Sequence, residues 1–238
     1  MDASDLKRRL ELDTVAYWQL LGIEIHEVYG AGELRNLTNI IIPIVEKNLV
    51  KEKYTLSSDD YKSIRRHYLN SLFEINSSAK IITDKWPLNF RNIGFIFSAL
   101  PEARVVHVKR DARATCFSIY KHYFSDQGNG WAYSFDDLAN FYGLYVDLMN
   151  YWHKLYPGKI YDLSYEELTN NQEKETKKLL EYCNLDWDPN CLKFHENSRD
   201  VKTASALQVR KKMYQGSSEV WKKYADFIDP LIEALKPY

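Results

Sequence analysis

An arginine at a strand end and a serine on the helix that follows can share one anion if both face the same way. Residues 104–120, RVVHVKRDARATCFSIY, offer that arrangement. Arg104–Val108 is short and β-branched, which predicts a strand. Asp111 can cap a helix whose next residues, Ala112 to Tyr120, hold no breaker. Ser118 lies seven residues beyond Asp111. That is nearly two turns, so it returns to the side on which the helix starts. The Arg110 guanidinium and the Ser118 hydroxyl would then meet at one small anion, and the pattern suggests a phosphate site. The spacing also allows a plainer reading, with Arg110 paired to Asp111 and Ser118 bonding back onto its own helix.

The elements that must position such a site are bounded by composition. At 238 residues the chain can form one α/β domain or two small ones. Its net charge of −1 gives no general attraction to nucleic acid, so any anion site must be local. Cys116, Cys183 and Cys191 form no CxxC pair, and MDASDLKRRLEL is too charged for a signal peptide. No apolar run approaches the ~20 residues of a membrane span. The expectation is a cytoplasmic protein with no nucleic-acid and no membrane partner. Eighteen tyrosines imply either dense packing or stacking surfaces for a ring-bearing ligand.

Along the chain, Ser4 can cap a first helix reaching about Leu21. A short extended piece follows around Val28–Ala31. Ser58 or Asp59 is placed to cap the next helix, and KIITDK reads as a strand. Pro87 suits the first turn of a helix, where its missing N–H costs nothing. The helix after Asp111 is expected to end near Phe124. Ser134–Tyr156 reads as a long aromatic helix with Asp136 and Asp137 in its first turn. KIYDLSYEEL repeats the scheme of strand, polar strand end and helix. Strands alternating with helices predict a parallel sheet with ligands at the strand C-terminal ends, so Glu33, Lys85, Arg110 and Glu166 should lie near one rim.

Six ordered blocks between about residues 26 and 224 resemble the sulfotransferase superfamily, in particular its bacterial tetratricopeptide-linked and tyrosylprotein-sulfotransferase-like branch. They are VYGAGEL, ITDKWPLNF with IGFI, P-x-ARVVHVKRDARATCFSIY, YDLSYEEL, LDWDPNCLKFHE, and VKTASALQVRKKMY followed by SEVW. The resemblance implies a single domain over residues 1–238: an α/β fold of the P-loop nucleotide-binding type, with a parallel sheet flanked by helices. It implies sulfuryl transfer from 3′-phosphoadenosine-5′-phosphosulfate (PAPS) to a hydroxyl on a small molecule, a carbohydrate or a peptide, without a metal. Arg110 and Ser118 would hold the 3′-phosphate of the donor. Lys85, after the TD strand end, would stabilise charge on the leaving bridging oxygen. Glu33, in the GE block, would act as general base. Ser205 and Arg210, with Lys211 beside them, would contact the nucleotide from a loop that closes over it.

Each role has a plainer counterpart. Lys85 could be a surface lysine beside Asp84, Glu33 a helix-start carboxylate favoured by the dipole, and the 205–211 segment a solvated basic loop. Tyr165 and Glu166 read as structural, Trp86 and Trp221 as packing. Cys183, Cys191 and His195 could be written as metal ligands, but their block has a packing explanation.

One departure from the family pattern matters. The family carries a strand and a Pro-Arg-Ser-Gly-Thr-Thr-like loop ahead of the GE block, whose backbone N–H groups cradle the 5′-phosphosulfate. Here the preceding stretch is DTVAYWQLLGIEIHE, with neither Ser-Gly-Thr nor GxxxxGK[ST]. The first strand and loop are therefore expected to be missing or replaced, for instance by Leu20–Ile25, with residues 1–25 an atypical helical segment. The alternative function is then an impaired protein that binds only the 3′-phosphoadenosine end, or a truncated fragment.

Overall fold

The computed structural model describes residues 28–124, 128–196, 213 and 215–238. The expected N-terminal helix and Leu20–Ile25 lie outside them. Strand β1 is Val28–Gly32, followed by helices α1 (Asn36–Leu49) and α2 (Ser58–Ile75) and strand β2 (Ile81–Asp84). A 3-10 segment, Pro87–Asn92, leads into α3 (Ile93–Ala99). Then come β3 (Val105–Lys109), α4 (Ala112–Tyr120), a 3-10 turn at Gly130–Tyr133, and the long α5 (Phe135–Leu155). Strand β4 (Ile160–Ser164) precedes α6 (Tyr165–Asn170) and α7 (Gln172–Tyr182). After the 3-10 segments Pro189–Glu196 and Ser217–Tyr224, α8 (Ala225–Ala234) ends the fold.

The fold is α/β, and its strand pairs are parallel. Among the described residues they form two ladders, β1 with β2 and β3 with β4, rather than one continuous sheet. In each ladder the C-terminal ends lie side by side, which places polar strand-end residues together. The β3–β4 pair separates two apolar clusters by simple alternation. Val105 and Ile160 face Met149 and Trp152 of α5, whereas Val106 and Leu163 face Leu179 and Leu180 of α7. A third cluster ties α4 and α5 to Trp221 and Leu231. All three cysteines are buried; Cys183 and Cys191 belong to the second apolar cluster, consistent with a packing role.

Local sequence explains the helix starts. Asp111 caps α4, its carboxylate accepting from the Ala114 N–H at 2.8 Å, and Ser134 caps α5 by accepting from the Asp137 N–H at 3.3 Å. Pro87 stands in the first turn of its 3-10 segment. Two boundaries shift. Helix α4 stops at Tyr120 rather than near Phe124. Helix α2 is capped by Ser57 rather than Ser58 or Asp59, because only Ser57 completes a reciprocal box with Asp60: Asp60 N–H donates to Ser57 Oγ at 3.2 Å, and Ser57 N–H donates to Asp60 Oδ2 at 2.8 Å.

Candidate functional site

At the end of β1 the ladder register slips between Gly30 and Gly32, and Gly32 takes φ +83°, a conformation glycine adopts without a Cβ penalty. Its carbonyl accepts from the Lys85 N–H at 2.8 Å, locking the two strand ends together. The next residue, Glu33, meets the Lys85 side chain directly: Nζ donates to Glu33 Oε1. The two residues singled out for catalysis are thus an ion pair. The Lys85 side chain is only 9% exposed, so the surface-lysine reading is wrong; Glu33 keeps 32%. Burial pushes the Lys85 ammonium down to about 8. At neutral pH the residue remains mostly a cation.

Beneath the pair lies a carboxylate the sequence reading had passed over. Asp84, 1% exposed, accepts from the Tyr68 hydroxyl at 2.9 Å and the Leu34 N–H at 3.1 Å, with the Asn89 amide 3.4 Å away. Burial pushes its carboxyl up to about 6, and these three donors limit the rise. Because Leu34 follows Glu33 and Asp84 precedes Lys85, this buried acceptor fixes the backbone on both sides of the ion pair.

The second strand pair builds a separate polar cluster. Arg110, just beyond β3, donates to the Ser217 carbonyl at 2.7 Å and to Ser218 Oγ at 3.2 Å, and lies over the Tyr165 ring at 5.0 Å. Glu166 Oε1 accepts from Ser218 Oγ at 2.6 Å and from the Asp111 N–H at 3.1 Å. Asp111 pairs with Arg113, not with Arg110. The plain Arg110–Asp111 reading therefore fails; Tyr165 stacks on Arg110, and Glu166 binds its neighbour Asp111 and its partner Ser218. Ser118 is half-buried on α4, and its hydroxyl has no hydrogen-bond partner among the described residues. Ser205, Arg210 and Lys211 lie outside the described residues.

A cleft of about 970 Å³ opens beside the ion pair. Glu33 and Arg35 stand in its wall with Trp86, and α5 contributes Phe141 and Tyr145 across from them. Trp131 stacks on Phe141 at 4.0 Å, and the Arg35 guanidinium lies 4.7 Å over Trp86. Trp86 is thus a cleft wall rather than core, while Trp221 is buried as expected. Thr115, Cys116 and Ile119 of α4 complete the far side; Lys85, Arg110 and Ser118 are not in the lining. Chemically, the arrangement offers a half-exposed carboxylate facing an aromatic space, with a buried cation at its back. The aromatic load of the sequence was the only signal for this cleft.

The family model for the "Sulfotransferase family" matches residues 35–189. An uncharacterized protein of Aquifex aeolicus (strain VF5) is 35% identical over 220 residues, covering 88% of this chain; the chain spans only 29% of that relative's length. Among solved structures, the sulfotransferase domain from the curacin biosynthetic pathway superposes with a TM-score of 0.59 at 12% identity, covering 90% of this chain and 91% of its own. The sulfotransferase STF9 from Mycobacterium avium reaches a TM-score of 0.41 at 14% identity, over 74% of this chain and 48% of its own, too low to bear on the fold.

Proposed function

This chain belongs to the sulfotransferase family, and we propose that it carries a sulfuryl-transfer site in which Glu33 and Lys85 act on opposite ends of the transferred group. The observation that carries this reading is their ion pair at the joined C-terminal ends of β1 and β2, with Glu33 facing the cleft. The acceptor hydroxyl sits in the cleft and attacks the sulfur of PAPS in line. Glu33 takes the hydroxyl proton as the new oxygen–sulfur bond forms. The sulfur–oxygen bond to the 5′-phosphate breaks, and Lys85 balances the charge that develops on that oxygen, leaving adenosine 3′,5′-bisphosphate. Arg110 and Ser118 hold the 3′-phosphate. The Arg110 guanidinium has five N–H donors, and its bonds to Ser217 and Ser218 leave others to reach an anion. Ser205, Arg210 and Lys211 close over the nucleotide.

A labelled-donor assay against small-molecule, sugar and peptide hydroxyls tests this. Turnover should fall to background in Glu33→Gln while the variant keeps its melting temperature within a few degrees. Undiminished turnover in Glu33→Gln would remove Glu33 from the mechanism. A second reading is favoured by one sequence observation, the lack of a Ser-Gly-Thr or GxxxxGK[ST] loop in these 238 residues. On that reading the chain binds the 3′-phosphoadenosine end and transfers nothing. Adenosine 3′,5′-bisphosphate would then raise the melting temperature of the wild type but not of Arg110→Ala, with no transfer to any acceptor.

A further inference from the structure

We propose that His107, His153 and Asp162 form a binding site for a transition-type divalent cation, with Zn2+ the best match. The site lies on the β3–β4 ladder and shares no residue with the Glu33–Lys85 pair. His107 and Asp162 are direct cross-strand neighbours in the parallel register, on the face covered by α5. Tyr145, Met149 and His153 recur every four residues along α5, so one stripe of that helix lies over the same spot. Buried Met149 anchors the middle of the stripe, and Tyr145 and His153 reach down on either side.

Three ligand atoms converge there. His107 Nδ1 is 2.8 Å and His153 Nε2 3.0 Å from the same Asp162 Oδ1, and all three atoms lie within 4.8 Å of one another. Zinc bonds to these groups are ~2.0–2.2 Å long, so tetrahedral ligands sit ~3.4 Å apart, and side-chain shifts on the order of 1 Å would close the three onto a metal. The His107 side chain is 9% exposed, whereas His153 and Asp162 keep 33% and 35%, which leaves an open side for entry and for a water as fourth ligand. Two imidazoles and one carboxylate suit Zn2+, Co2+ or Ni2+ and select against Mg2+ and Ca2+, which prefer all-oxygen sets.

The surroundings complete the site. His107 Nε2 is hydrogen-bonded to the Tyr145 hydroxyl. When Nδ1 is given to the metal, the ring proton resides on Nε2 and donates to that hydroxyl, the outer-shell bond that metal-ligating histidines normally make. Lys109 Nζ lies 3.6 Å from Asp162 Oδ2; it is 59% exposed and free to swing away when a cation arrives. One ion bridging β3, β4 and α5 would tie the strand ladder to the helix whose Tyr145 lines the cleft.

The test uses the whole chain, stripped with chelator and titrated with Zn2+, Co2+ and Mg2+ by calorimetry, thermal melting and visible absorption. We expect one equivalent of Zn2+ and a raised melting temperature, a visible Co2+ ligand-field band, and no response to Mg2+. His153→Ala should weaken Zn2+ binding by roughly 100-fold and abolish the band, and Tyr145→Phe should weaken it by roughly 10-fold or more. His67→Ala, on the exposed face of α2, should change nothing. Zn2+ binding of undiminished affinity in His153→Ala, binding lost in His67→Ala, or a folded wild type that takes up no Zn2+ would each overturn the assignment.

Discussion

Asp84 gives the most direct test of how the strand-end site is held, because its cost should appear as a pH dependence of folding. The carboxyl is pushed from 3.8 to about 6 by burial, equivalent to roughly 3 kcal/mol. At 1% exposure there is no solvent screening to discount. A raised folded-state pKa means that the native chain keeps a proton the unfolded chain has released. The associated stability is complete below pH 3.8 and is lost as pH climbs through about 6. Asp84→Asn removes the titration while keeping an oxygen for the Leu34 N–H, and the Tyr68 hydroxyl can turn to accept from the new amide. Any fixed offset from those altered bonds cancels in a difference taken across pH. Urea unfolding of both proteins at pH 4, 5, 6 and 7 should show the variant gaining on the wild type by about 3 kcal/mol across this window. A flat difference, or one that falls with pH, would refute the assignment of Asp84 as a buried carboxylate held by neutral donors.

Lys85 titrates in the opposite sense. Its pKa is lowered to about 8, so folding strengthens as pH rises from about 8 towards 10.5, and Lys85→Met should lose that rise in unfolding experiments. Gly32 aims Glu33 through its positive φ, and Gly32→Ala should cost about 1 kcal/mol or more in unfolding free energy. The same change should lower kcat through a displaced base, with donor binding unaltered.

The polar strand ends were legible in the sequence because a parallel ladder leaves little choice. Once VYGAG and IITD are strands, Glu33 and Lys85 must follow them, and their pairing is a matter of adjacency. Asp111 and Ser134 announced their helices because a short acceptor before an unbroken run has one obvious use. Ser57 was missed because three capping residues stand in a row, and only the reciprocal bond to Asp60 chooses among them. Arg110 shows the other limit: its partners, Ser217 and Ser218, lie more than 100 residues away, with no periodicity to connect them. The His107, Asp162 and His153 cluster had a faint signal in two polar residues inside otherwise apolar strands. Recognising it required the β3–β4 register and the placement of α5, which sequence spacing does not supply.

The resting geometry also constrains the order of events in the proposed reaction. While Lys85 holds the Glu33 carboxylate, the base is weakened by its own counter-ion and the cation is not available to a leaving oxygen. A donor that draws Lys85 onto its bridging oxygen does both things at once: it places the cation where charge will develop, and it strips Glu33 of the partner that suppresses its basicity. An acceptor arriving first finds a neutralised pair and gains nothing from it. Donor binding should therefore precede productive acceptor binding. Initial-rate kinetics will then show adenosine 3′,5′-bisphosphate competing with the donor but acting non-competitively towards the acceptor. In Lys85→Met, Glu33 has no counter-ion to lose, so acceptor binding should become independent of donor while kcat collapses. If the wild type binds acceptor equally well with and without donor, the ion pair is a structural clasp and the coupling argued from it is wrong.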